Sequence, residues 1–144
     1  MRSALDEYLE RLKGKRVAVL GIGVSNRPLI DLLCQAGIAV TACDKRDRDS
    51  FNGLIEKLEA NGVSCHLGPD YLDHLDGMDV IFRTPGLRPD LPQLERAKAA
   101  GAELTSEMEA FFSVCPCRIL AVTGSDGKTT PTPIIAGLLR ASGY

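Results

Sequence analysis

Short apolar runs alternate with amphipathic stretches along this chain, and glycine marks most of the changes of period. Residues 16–20 form an apolar run that Gly21-Ile22-Gly23 breaks sharply; Leu29, Ile30, Leu33 and Ala36 then share one helical face, and Gly37 ends that stretch. Residues 38–43 are a second run, closed by Asp44. The unit repeats: a helical stretch over 50–60, a run at 62–66, and a run at 79–82 leading into Thr84-Pro85-Gly86. A helical stretch over 90–100 stops at Gly101, and a short run follows at 102–104. Ahead of all this, Leu5, Tyr8, Leu9 and Leu12 fall at i, i+3, i+4 and i+7, which predicts an opening amphipathic helix ended by Gly14. Ser106, with Glu109 three positions later, predicts the capped start of another helix. Strands that alternate with helices cannot be joined by hairpins, so the pattern predicts an α/β fold with a parallel sheet and helices on both faces.

The bulk properties remove several function classes. A net charge of −2 over 144 residues provides no basic surface for a nucleic-acid backbone or an anionic membrane. No apolar run approaches the roughly 18 residues that a membrane span needs, and the acidic start lacks the apolar core of a signal peptide. Five cysteines, an odd number, are expected to be small buried or partly buried free thiols of a reducing cytoplasm. Cys115-Pro116-Cys117 has one intervening residue where zinc and redox pairs have two. His66 and His74 have no metal-ligand spacing, so both are read as structural or surface residues.

The pattern pauses near residues 113–116. Residues 118–122 then predict a new strand running into a glycine-rich loop, and Ile134, Ile135, Leu138 and Leu139 predict a last helix. One strand and one helix make no core. The expected organisation is a complete domain over 1–116 and the opening of a second, incomplete one over 117–144.

Two turns carry phosphate chemistry. The first, Gly21-Ile22-Gly23-Val24-Ser25-Asn26, joins a strand to a helix, where bare backbone and a helix N-terminus suit anionic oxygens. Asn26 stands where the third glycine of the dinucleotide fingerprint is expected, and Asp44 ends the second strand where a nucleoside-binding acid is expected. The second is Gly124-Ser125-Asp126-Gly127-Lys128-Thr129-Thr130. Its backbone N–H groups would wrap phosphates, Lys128 would neutralise charge at the transferred phosphoryl, and the Thr129 or Thr130 hydroxyl could reach Mg²⁺. The spacing is shorter than that of the standard P-loop, and Val122 occupies the place of the first standard glycine.

These two loops, about 100 residues apart and in this order, resemble those of the Mur ligases of bacterial cell-wall synthesis. Thr123 completes the family's Thr-Gly-x-x-Gly-Lys-Thr loop. The resemblance implies a Rossmann-like domain for a UDP-sugar, followed by the first strand and helix of a truncated P-loop ATPase domain. The nearest pattern is that of the branch that adds D-glutamate to UDP-N-acetylmuramoyl-L-alanine. It further implies ATP and Mg²⁺ as cofactors, an acyl-phosphate route, Lys128 as the catalytic cation, and cytoplasmic work in a bacterium. Val24, Ser25 and Asn26 would hold the diphosphate, and Gly23 of the same turn would also meet the UDP-substrate. Asp44 would accept from the uracil ring, with Lys45 and Arg46 beside it, and Thr84, Pro85 and Gly86 would line the same substrate. The amino-acid grip and further magnesium ligands would lie beyond Tyr144, so the chain alone is expected to be inactive.

Pro131 and Pro133 depart from the family's pattern. If the helix starts at Lys128, Pro133 falls near its fifth or sixth position, where a proline costs roughly 3 kcal/mol; a later start avoids this. Three other readings compete. A NAD-dependent oxidoreductase domain explains the first turn and gives Lys128 no role. Another Mur-type or folylpolyglutamate-synthase-like ligase shares the second loop and is expected to differ over 21–26. A nucleotide-sensing module without catalysis is the third.

Overall fold

The structure is a computed structural model that describes residues 3–144. Five strands form one parallel sheet: β1 (Val17–Leu20), β2 (Val40–Asp44), β3 (Ser64–Leu67), β4 (Val80–Arg83) and β5 (Glu103–Thr105). Their spatial order is β3-β2-β1-β4-β5. The register pairs Val17 with both Val40 and Val80, so β1 lies at the centre. All four residues of β1 are fully buried. A strand covered on both faces has no polar side to show, which is why this run reads as continuous apolar sequence.

Alternate residues of each strand supply two cores. Val17 and Val19 face one side with Ile30, Leu33, Ile55 and Phe82. Ala18 and Leu20 face the other with Cys43, Leu75, Ile81 and Leu94. The first core is covered by α1 (Ala4–Leu12), α2 (Asn26–Gln35), α3 (Leu54–Ala60) and α5 (Glu107–Val114). The second is covered by α4 (Pro92–Ala99) and by the segment 68–78, which contributes Leu72 and Leu75 without forming a helix.

Local chemistry sets the boundaries. Ser3 caps α1 in a full capping box with Asp6. Ser106 caps α5, its Oγ accepting from the Glu109 N–H at 3.2 Å. The single helix expected over 50–60 is instead a 3₁₀ turn, Arg48–Phe51, followed by α3. Asn52 and Gly53 between them have φ of 48° and 80°, and two left-handed residues in succession break the helix.

The last part of the chain differs from expectation in one element. Residues 118–122 form no strand. An isolated strand leaves its N–H and C=O groups without a ladder, and among the described residues no neighbour pairs with it. The helix does form, as α6 (Pro131–Ala141). It starts at Pro131, later than Lys128, so Pro131 and Pro133 occupy its first and third positions. N–H groups there have no partner inside a helix, which makes both prolines compatible with it. No residue after Ala110 is buried, and Ile134, Ile135 and Leu138 of α6 are exposed.

Candidate functional site

β1 is the point where the chain reverses its direction across the sheet, and open α/β sheets bind ligands outside the strand ends at such a point. A cleft of about 310 Å³ lies there. Gly21 after β1, Asp44 at the end of β2 and Thr84 after β4 all reach it, because the three strands are in register and end together. Gly21 has φ of +91°, and a Cβ added to it would lie 3.4 Å from the Thr84 Cγ2. That contact is an ordinary one, so it is the backbone conformation that favours glycine at this turn.

The corner of the cleft is built on Asp44. Its carboxylate, only 5% exposed, accepts the Ile22 N–H at 2.7 Å and the Arg46 N–H at 3.0 Å. The Arg46 guanidinium adds Nε at 3.0 Å and a terminal nitrogen at 2.9 Å. Burial by itself would raise the Asp44 pKa. The Arg46 side chain, then the Arg46 and Ile22 backbone N–H groups, outweigh it and hold the carboxyl below its usual range. Arg46 is fixed in turn by the Ile22 carbonyl at 3.2 Å and by the Phe51 ring, whose centroid lies 4.3 Å from its guanidinium carbon. Asn26 is 5% exposed, and its amide nitrogen donates to the carbonyls of Leu20 at 3.1 Å and Gly21 at 2.8 Å. Asn26 thus braces the turn from beneath, in the place where the dinucleotide pattern has glycine.

Of the residues singled out from the sequence, Gly23, Asp44, Lys45, Arg46, Thr84 and Gly86 line this one cleft. Val24, Ser25, Asn26 and Pro85 lie in the same turns but not on its wall, and Val24 is 84% exposed. Ser25 precedes α2 with helical backbone and makes no side-chain cap bond. Tyr71 also lines the cleft and was not marked in the sequence. It follows β3 by four residues, so the rule that ligands meet the chain just after parallel strands would have found it.

The second loop is separate from this cleft. Gly124 and Gly127 have φ of +158° and +75°, so the loop uses conformations that favour glycine. The Lys128 ammonium folds back onto the loop and donates to the Gly124 carbonyl, with the Ser125 carbonyl at 3.3 Å. Ser125, Asp126, Thr129 and Thr130 are all exposed. Among the described residues, no group of three or more His, Cys, Asp and Glu could hold a metal ion. No described helix is long and apolar enough to cross a membrane.

A parallel sheet of this order, with a glycine turn at its switch point, defines a Rossmann-type α/β domain. A family model for the N-terminal domain of MurD-like Mur ligases matches residues 15–106, and the chain belongs to that family. Over all its 144 residues it is 52% identical to the UDP-N-acetylmuramoylalanine--D-glutamate ligase of Ruminiclostridium cellulolyticum. It is 49% identical to the ligase of the same name from Clostridium botulinum strain Loch Maree. In both cases the chain spans 31% of the relative's length. Among solved structures, a murein peptide ligase from Psychrobacter arcticus matches with a TM-score of 0.59 and 25% identity, covering 90% of this chain and 27% of that one.

Proposed function

We propose that the cleft at the ends of β1, β2 and β4 holds the UDP part of UDP-N-acetylmuramoyl-L-alanine, and that the chain belongs to an ATP-dependent ligase that joins D-glutamate to it. The observation that carries this reading is the convergence of Gly21, Asp44 and Thr84 on one cleft at the sheet's switch point, in a chain about half identical to ligases named for that reaction. The diphosphate would lie along Gly23, Val24 and Ser25, where the chain leaves the sheet and α2 begins, with Asn26 supporting the turn. The uracil would meet Asp44, Lys45 and Arg46, and Thr84, Pro85 and Gly86 would close the opposite side.

Residues 1–116 would form the UDP-sugar domain, and residues 117–144 the opening of the ATP domain. The second loop fits a nucleotide in its glycine conformations and its lysine, and fits less well at its helix. Pro131 and Pro133 withdraw two of the first three N–H groups of α6, and the Thr132 N–H already reaches the Lys128 carbonyl at 3.4 Å. Phosphates would therefore rely on the N–H groups of the loop and on Lys128. ATP, when bound, supplies the phosphoryl group that activates a carboxylate. Lys128 would hold charge beside that group, and the Thr129 or Thr130 hydroxyl would help hold Mg²⁺. A bacterial cytoplasm would be the site of action.

The test is calorimetric titration of the 144-residue chain with UDP-N-acetylmuramoyl-L-alanine, NADH and ATP separately. The expected result is binding of the UDP-sugar that is lost in an Asp44→Ala variant still folded by its denaturation curve. Binding of NADH in its place would overturn the reading in favour of an oxidoreductase domain. The chain alone is expected to form no amide from UDP-N-acetylmuramoyl-L-alanine, ATP and D-glutamate.

A further inference from the structure

The polar groups of the cleft are unequally available to a ligand. Asp44 already accepts four N–H bonds, which fills the acceptor sites of a carboxylate. Arg46 spends Nε and one terminal nitrogen on Asp44 and Ile22, and its guanidinium already rests on Phe51. Tyr71 is different. It is the one aromatic residue lining the cleft, and among the described residues its hydroxyl has no hydrogen-bond partner. Burial, then the nearby Asp44 carboxylate and Cys43, push its phenol up, so the ring is neutral at working pH.

Its position is firmly held. Gly68, with φ of +93°, turns the chain after β3, and the Tyr71 N–H donates to the Gly68 carbonyl at 3.3 Å. Leu72 and Leu75 bury themselves in the second core immediately afterwards. The His66 and His74 rings stack at 3.9 Å, pinning the same segment to β3. The ring is thus presented by an anchored segment, and a rigid flat surface loses little entropy when a planar group lies on it.

We propose that Tyr71 is a specificity-determining contact of this cleft, its ring lying against the flat face of the nucleotide's heterocycle. This rests on the UDP reading above. Leu20 and Leu87, the apolar neighbours on the wall, offer branched surfaces that cannot stack. Stacking requires a planar ligand ring, whereas the hydrogen-bonding edge of uracil does not.

The experiment compares UDP with 5,6-dihydro-UDP, whose ring keeps the same polar edge but is puckered, by calorimetry on the 144-residue chain. The wild-type chain is expected to prefer UDP about tenfold, in line with base–aromatic stacking. Tyr71→Phe is expected to keep that preference. Tyr71→Leu is expected to reduce it to within about twofold by weakening UDP alone. UDP affinity and preference unchanged in Tyr71→Leu would overturn the proposal and leave the UDP cleft standing. Equal weakening of both ligands would also overturn it, because that is the signature of a purely structural role. Failure of the wild-type chain to bind UDP at all would overturn the cleft reading, and the role of Tyr71 with it.

Discussion

Replacing Asp44 by alanine tests whether the cleft is built as described. The Ile22 N–H sits at a residue with no solvent exposure and would lose its acceptor, costing about 1–3 kcal/mol. The Arg46 side chain is 42% exposed, so its charge can turn to water and the lost pair costs at most about 1 kcal/mol. Relief of the carboxylate's own desolvation acts in the opposite direction. The expected net loss is about 2 kcal/mol, or a fall of roughly 4–8 °C in melting temperature for a chain of this size. Asp44→Asn keeps an oxygen for Ile22 but sets its amide N–H groups against those of Arg46, so it should lose about half as much. The pH dependence has a definite sign. The folded pKa of Asp44 is held down, so its contribution is fully present above the unfolded value of about 4 and disappears as pH falls through the folded one. Urea denaturation of the wild type and both variants, from pH 7 down to about 3, measures this. An alanine variant within about 0.5 kcal/mol of wild type at pH 7 would show that the Asp44 network does not hold the turn.

Three further outcomes follow from the geometry. Gly21→Ala, at a φ of +91° and facing Thr84, should cost about 1–2 kcal/mol and weaken UDP binding; unchanged stability would show that the turn relaxes freely. Burial pushes the Cys43 thiol up to about 12, whereas Cys117 is exposed, so a disulfide reagent at pH 8 should label Cys117 quickly and Cys43 only on unfolding. Equal rates for the two, resolved by peptide mapping, would contradict the buried position of Cys43. Changing Pro131 and Pro133 together to threonine returns two first-turn N–H groups to α6 and should tighten ATP binding about two- to fivefold; unchanged affinity would show that the phosphates do not reach the N-terminus of α6.

The sheet could be read from the sequence because its signal is local. Residues 17–20 are apolar at every position because β1 is covered on both faces, and residues such as Gly37 and Gly101 mark helix ends with positive φ. The sequence misled where a partner decides the outcome. Residues 118–122 have the composition of a strand, yet a strand exists only when a neighbour accepts its ladder. The helix expected over 50–60 broke at Asn52-Gly53, a dipeptide that favours left-handed backbone and was a readable turn signal.

The cleft was partly legible for a similar reason. Gly21, Gly23 and Asp44 follow from strand ends, because a parallel sheet brings successive strand ends to one edge whatever the side chains are. Which groups remain free there is a three-dimensional question. Asp44 and Arg46 are two residues apart and both suit a ligand in sequence, but the geometry joins them to each other and to Ile22. That mutual pairing has a consequence for binding. A ligand that gives a hydrogen bond to Asp44 must match or displace a bond the protein already has, and the net gain from such an exchange is small, whereas the second terminal nitrogen of Arg46 is not used by Asp44 or Ile22. Tyr71 lines the cleft while packing against the second core, and a contact with its ring involves no hydrogen bond to exchange. Selection among nucleotides at this corner should therefore follow the shape and planarity of the ring at least as strongly as its polar edge.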